Sequence, residues 1–276
     1  MCLRINDSMK EITSVEEFKA IQLQILKDLD AFVRNNNIYY SLAYGSLIGV
    51  IRHHGFIPWD DDIDIYMERA HYQHLIDLLP NNYLGKYEMA CLEKNAAWNR
   101  PYAKLFDMRT LLIESVSNNT GIGVGIDIFP VDEIPGESKE FRQYNREMFL
   151  LRNIYTLKSL KWMINRPFYK NVLVLLSKAI LFPFKYRSMA MDISKKAQKY
   201  NGADTGFLAD NVAGYASTKP FLKESFSEYI NMTFEGFPVM VIKGWHDVLT
   251  KTFGDYMQLP PEEKRVTHHA FEAWWK

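Results

Sequence analysis

The apolar positions of this chain change period several times, and each change marks an element. Behind Ser14-Val-Glu-Glu17, the residues Phe18, Ile21, Ile25, Leu29 and Phe32 recur at three- and four-residue spacing. That stripe predicts an amphipathic helix to about Arg34. Ser14 with Glu17 makes a capping box at its start, and Asn35-Asn36-Asn37 ends it. Residues 38–43 read as a strand running into Gly45-Ser46, and a short helix is predicted over 47–53, closed by Gly55 and Pro58. In Pro58-Trp-Asp-Asp-Asp-Ile-Asp-Ile65 the period drops to two, with Ile63 and Ile65 alternating with Asp62 and Asp64. This is strand periodicity, so Asp60, Asp62 and Asp64 are expected on one face and Asp61 on the other.

A second amphipathic helix is predicted over 68–79, stopped by Pro80-Asn81-Asn82. Strand-like pieces follow at 87–92, 102–106, 111–114 and 124–129. Residues 139–200 are mostly helical in pattern, 202–242 return to short mixed elements, and 245–253 form a closing helix. No internal repeat or low-complexity linker divides the chain. The succession predicts an α+β fold with an antiparallel or mixed sheet. Three stretches are expected: a core over 1–138, a helical region over 139–200 free to face a ligand or a membrane, and a C-terminal segment over 201–276 packing back on the core.

Residues 172–184 are the most apolar stretch, and they are too short to span a bilayer, which takes about 20 apolar residues. A buried helix is the expected reading. Flanking Lys170, Lys185 and Arg187, with Lys178 inside, keep an interfacial helix as the alternative.

Composition narrows the function. Lys plus Arg equals Asp plus Glu at 33 each, so no global field draws in nucleic acid. Cys2 and Cys91 make neither a disulfide framework nor a zinc spacing. Arg4, Asp7, Lys10 and Glu11 interrupt any signal-like apolar run, so a cytoplasmic address is expected, with the inner membrane face as its limit.

The acidic strand carries the chemistry. Like charges this close destabilise a fold unless a cation sits among them, and Mg²⁺ (or Mn²⁺) is usually held by one or two carboxylates plus substrate phosphates. Asp60, Asp62 and Asp64 are therefore candidate metal ligands. A solvated acidic loop has no need of isoleucines in register. An EF-hand loop is excluded, because Ile65 and His71 stand where its glycine and its last glutamate belong. Gly45-Ser46 sits at a strand-to-helix turn where backbone N–H groups can meet a phosphate. Asp127, between Ile126 and Ile128, repeats the apolar–Asp–apolar pattern and is expected as a third carboxylate on a neighbouring strand.

The run Tyr44-Gly-Ser-Leu-Ile-Gly-Val-Ile-Arg-His-His-Gly-Phe-Ile-Pro-Trp-Asp-Asp-Asp-Ile-Asp-Ile65 closely resembles the signature of the LicD family, to which fukutin-related proteins are distantly similar. The resemblance continues in Ile126-Asp-Ile-Phe-Pro130 and in Leu259-Pro-Pro-Glu-Glu-Lys-Arg-Val-Thr-His-His269. It implies a nucleotidyltransferase-like fold. It also implies transfer of phosphocholine, or a related alcohol phosphate, from a CDP-activated donor such as CDP-choline. The acceptor would be a hydroxyl of a glycan or lipid-linked glycan of teichoic acid or lipopolysaccharide type, with CMP released. Carried over, Gly45 and Ser46 would hold donor phosphate, and Asp62, Asp64 and Asp127 would be catalytic and metal-binding. The proton acceptor expected from the charges is Asp127 or a metal-bound carboxylate nearby. Asp60 would be an extra ligand or an orienting group. Arg52, Lys104 and Arg109 are candidates for the donor phosphates or leaving CMP. Trp59 is the first candidate for a quaternary ammonium, which is attracted to aromatic faces. A nucleotidyltransferase proper, moving a nucleoside monophosphate and releasing pyrophosphate, is the rival reading. A non-catalytic carbohydrate- or choline-binding module is disfavoured, since it has no use for concentrated carboxylates.

Overall fold

The computed structural model describes residues 9–114, 122–136, 139–160, 167–213, 219–266 and 271–276. After a short strand β1 (Lys10–Glu11), helix α1 (Val15–Asn35) begins where the capping box places it, with Ser14 Oγ accepting from the Glu17 N–H at 3.3 Å. Its apolar stripe, Phe18, Ile21, Ile25, Leu26, Leu29 and Val33, is buried against the main sheet. Strand β2 (Ser41–Leu42) is shorter than its pattern suggested. Helix α2 (Tyr44–Arg52) starts three residues earlier than predicted, so Gly45 and Ser46 lie in its first turn.

Strand β3 (Asp64–Glu68) leads straight into α3 (Arg69–Leu78), and β4 (Tyr87–Ala90), β5 (Ala103–Asp107), β6 (Thr110–Glu114) and β7 (Gly125–Glu133) follow. The main sheet has the order β2-β3-β7-β5-β4, with β3 parallel to β7 and the other pairs antiparallel. It is therefore a mixed sheet, as one of the two expected forms. Where β5 ends alongside β7, the short strand β8 (Phe207–Ala209) takes over its far half, and β9 (Phe221–Leu222) pairs with β8. Arg69, at the start of α3, donates Nε and Nη2 to both oxygens of Asp132 at 2.8 and 2.6 Å, tying α3 to β7.

Helices α4 (Lys139–Ser159), α5 (Phe168–Leu181) and α6 (Tyr186–Ala197) fill the stretch whose pattern is helical. The hairpin β10 (Tyr229–Phe234) and β11 (Phe237–Ile242) turns through Glu235 and Gly236, both at positive φ. Two-residue turns of that kind match the twist of a hairpin. Helix α7 (Trp245–Phe253) has the predicted bounds, and β12 (Phe271–Trp275) joins β1 and β6 in a small second sheet.

The reading of 172–184 as a buried helix is corrected. Of α5 only Asn171 and Val174 are buried, while Ile180 is 73% exposed and Leu173, Leu175, Leu176 and Phe168 are also exposed. Pairing with α4 occupies one narrow stripe of a helix that is apolar most of the way round. Among the described residues, no helix is long and apolar enough to cross a membrane.

Candidate active site

The acidic motif is not a strand over its whole length. Only Asp64 opens β3; Asp60 to Ile63 form the approach to it. The reason is that side chains take the backbone groups a neighbouring strand would have used. Gln22 of α1 donates Nε2 to the Asp61 carbonyl at 2.5 Å and accepts the Ile63 N–H at 2.8 Å. Ser46 accepts the Asp64 N–H at 3.0 Å and donates to the Asp62 carbonyl at 3.4 Å. The alternation of faces survives nonetheless: Asp61 is buried, while Asp60, Asp62 and Asp64 are partly exposed. The Ser46 hydroxyl is thus committed to holding the aspartates. At Gly45, a Cβ would collide with the Asp60 carboxylate, so glycine here lets that carboxylate lie against the first turn of α2.

The sheet register assembles the rest. Asp64 of β3 stands directly beside Asp127 of β7, and Lys104 of β5 stands directly beside Asp127 on its other side. Neighbouring strands lie about 4.8 Å apart and paired residues share a face, so the three side chains form one row across the sheet. Lys104 Nζ reaches Asp127 Oδ1 at 3.0 Å and is itself buried. Ile126 and Ile128 turn to the opposite face and are fully buried. On the site face, Tyr66 and Phe129 are packed by Tyr44, and Phe129 also by Tyr102.

The electrostatics report how crowded the row is. Burial, then Asp62, then Asp127 push the Asp64 carboxyl well above the usual carboxylate range; Lys104 pulls it down and Asp60 adds to the rise. Among the described residues, no group of three or more His, Cys, Asp or Glu is arranged to hold a metal ion. The donors themselves are carboxylate oxygens, the set that suits Mg²⁺ or Mn²⁺. Their mutual repulsion, offset only in part by one lysine, is what a divalent cation would remove.

Other predicted residues fall elsewhere. Arg52 donates Nη1 to the carbonyls of Tyr256 and Gln258 at 2.6 and 3.4 Å, clasping the C-terminal segment. Arg265 lies over the Trp59 ring at 5.7 Å and lowers the pKa of Arg52 after burial does. The Leu259–His269 motif is thus brought beside Trp59 as far as Arg265; His268 and His269 lie outside the described residues. Arg109 grips Asp107, with Nη2 to Oδ2 at 2.5 Å. Asp107 is three strand positions from Lys104, which puts it on the opposite face of the sheet. The row of Asp64, Asp127 and Lys104 does not include Arg109.

Two residues to which the sequence reading gives no role complete the frame. Gln22 reads as an ordinary polar position of α1. Tyr44 holds a positive φ of 43° at the head of α2, and its hydroxyl is hydrogen-bonded to Asp210, just past β8. A non-glycine residue in that conformation is strained and needs surrounding contacts to hold it.

Comparison with known proteins gives this geometry its relatives. Residues 37–168 match the family model described as LicD/FKTN/FKRP, nucleotidyltransferase domain. Over 272 residues, 96% of this chain and 99% of the other, the sequence is 33% identical to the lipopolysaccharide cholinephosphotransferase LicD of Haemophilus influenzae. The chain belongs to the LicD family. As a LicD-family member it is an enzyme, a transferase. Shorter matches link it to uncharacterized proteins of Rickettsia typhi (36% over 76 residues) and Rickettsia prowazekii (40% over 77 residues), each covering 26% of this chain. The family model spans the signature, β3, β7 and Lys104, so every residue of the central row lies inside it.

Proposed function

We propose that this LicD-family transferase moves phosphocholine, or a closely related alcohol phosphate, from a CDP-activated donor such as CDP-choline to a hydroxyl of a cell-surface glycan. A lipopolysaccharide-type acceptor is the first choice, and CMP is the product released. The observation that carries this reading is the Asp64–Asp127–Lys104 row, in a chain aligned end to end with a lipopolysaccharide cholinephosphotransferase.

Asp62, Asp64 and Asp127 would hold Mg²⁺ or Mn²⁺, with Asp60 supporting them from beside Gly45. When bound, the ion supplies positive charge that offsets the donor's anionic oxygens and aligns attack. The chain's own residues do the remaining work. Lys104 forms an ion pair with Asp127, and the Asp127 carboxylate would take the proton of the attacking hydroxyl. Ser46 and Gln22 fix the backbone of the aspartate segment, so the carboxylates are placed before substrate arrives. Arg265, over the Trp59 ring, and Arg52 near it keep positive charge in this region, where they would be available to the donor phosphates or the leaving CMP. The exposed apolar faces of α5, with Lys170 and Lys178 on the helix, fit a peripheral contact with a membrane that carries a lipid-linked acceptor.

Product analysis tests the reading. The protein is incubated with Mg²⁺, a glycan acceptor and, in turn, CDP-choline, CDP-ethanolamine, CDP-glycerol and CDP-ribitol. CMP release with the alcohol phosphate found on the glycan is the expected result. A nucleoside monophosphate on the acceptor, with pyrophosphate released from a nucleoside triphosphate, would establish nucleotidyl transfer in its place.

A further inference from the structure

Arg152 stands apart from the other basic residues of α4. It is 4% exposed and lies on the helix's buried stripe with Tyr144 and Met148. Among the described residues, only Nη1 has acceptors, the carbonyls of Asn211 at 3.5 Å and Ala213 at 3.4 Å, both at the long limit for a hydrogen bond. Among the described residues, Nε and Nη2 have no hydrogen-bond partner. A guanidinium that deep ordinarily saturates its fork, because an unmet buried donor forfeits its hydration.

The nearest explanation within the fold is Asp210, whose charge is the largest influence opposing burial at Arg152. That carboxylate is already spoken for. Its Oδ2 accepts from the Tyr44 hydroxyl, and its Oδ1 from the N–H groups of Val212 and Ala213 at 2.9 and 3.1 Å. An arginine serving only to tether α4 to this segment would lay its fork on Asp210, and this one does not. Its position also matters. The segment after β8 runs antiparallel to β7, back toward the end of that strand where Asp127 lies. Through Asp210 it meets Tyr44, whose ring packs on Tyr66 and Phe129 on the same sheet face as Asp64 and Asp127. Asp210 thus links Arg152 by charge to Tyr44, the residue that opens the Gly45-Ser46 turn.

We infer that Arg152 is an anion-binding residue of this active site, whose Nε and Nη2 take oxygens of the donor's diphosphate. Planar N–H pairs match phosphate oxygens two at a time, and the proposed donor is the component of the reaction that carries such oxygens. The identity of the anion rests on the transfer reading above; the existence of the site does not.

The probe is inorganic pyrophosphate with Mg²⁺, titrated calorimetrically into the wild type and into Arg152→Lys, which keeps a cation near Asp210 but loses the fork. The expected result is pyrophosphate binding at least about tenfold weaker in the variant at an unchanged melting temperature. Arg152→Gln should weaken it further. Should neither variant fold, the Arg152 Nε–H resonance of the wild type carries the test: it must shift, and exchange more slowly, when pyrophosphate is added. Equal binding by Arg152→Lys and wild type, an unmoved Nε–H resonance, or no pyrophosphate binding by the wild type would each overturn the inference. Pyrophosphate binding that depends on Arg152, without turnover of any CDP-alcohol, would sink the transfer reading and leave this site standing. Turnover with Arg152→Lys at the wild-type KM would do the reverse.

Discussion

Asp64 is where the charge conflict of the site concentrates, and it makes function and stability pull in opposite directions. Its carboxyl is raised by burial, Asp62 and Asp127, so in the absence of metal its ionisation works against the fold. That penalty is absent below the ordinary carboxylate pKa and grows as pH rises toward the raised one. Asp64→Asn should therefore melt at a higher temperature than the wild type in metal-free buffer at neutral pH, and the gap should close as pH falls. Transfer should meanwhile drop by roughly 100- to 1,000-fold, the scale for losing one charge-stabilising group. A variant that melts lower while keeping its activity would remove Asp64 from the site. Gly45 gives a second test at this scale. Gly45→Ala drives a methyl into the Asp60 carboxylate and should cost about 1–3 kcal/mol in urea unfolding. Adding Asp60→Ala should recover most of it, a coupling that a double-mutant cycle reads directly. Additive losses would mean the two residues do not touch. Both aspartate and glycine stood out in the sequence as candidate site residues. Their division of labour was not, because it depends on which backbone groups Gln22 and Ser46 occupy.

Elements with a strong local signal matched their predicted positions. The Ser14 cap, the 3.6-residue stripe of α1 and the bounds of α7 follow from residues close in sequence. Elements whose limits depend on distant partners moved. Helix α2 begins at Tyr44 because Asp210, 166 residues on, holds that residue's hydroxyl at a strained backbone position. Strand β3 begins only at Asp64 because α1 supplies the hydrogen bonds upstream. The largest departure is α5, whose apolar run looked like core and lies mostly exposed. With Lys170 and Lys178 on the same helix, it should bind vesicles containing anionic lipid in a co-sedimentation assay. Leu176→Glu with Ile180→Glu should abolish that binding and change the unfolding free energy by no more than about 0.5 kcal/mol, as for surface positions. Equal sedimentation of variant and wild type would place the lipid contact elsewhere or exclude it.

Across the whole molecule, distant stretches meet to make one centre. The signature at residues 44–65 supplies the aspartate segment, β7 supplies Asp127, and β5 supplies Lys104. Arg265 lies over Trp59, Asp210 holds Tyr44, and Arg152 of α4 reaches the 211–213 segment that follows. The motifs were visible along the chain because each keeps its own pattern. The Lys104–Asp127 pair and the Arg152 fork were not, since the register of the sheet and the packing of α4 decide them. The central claim is that this assembly transfers an alcohol phosphate with the help of a divalent cation held by the aspartate row. The most direct test follows CMP release from CDP-choline, in the presence of a glycan acceptor, as Mg²⁺ is added to protein stripped with EDTA. The account predicts no release without metal, release that saturates as Mg²⁺ rises, and no recovery at any Mg²⁺ concentration for Asp127→Asn. Undiminished CMP release in EDTA, or an Asp127→Asn variant that turns over like the wild type, would contradict it.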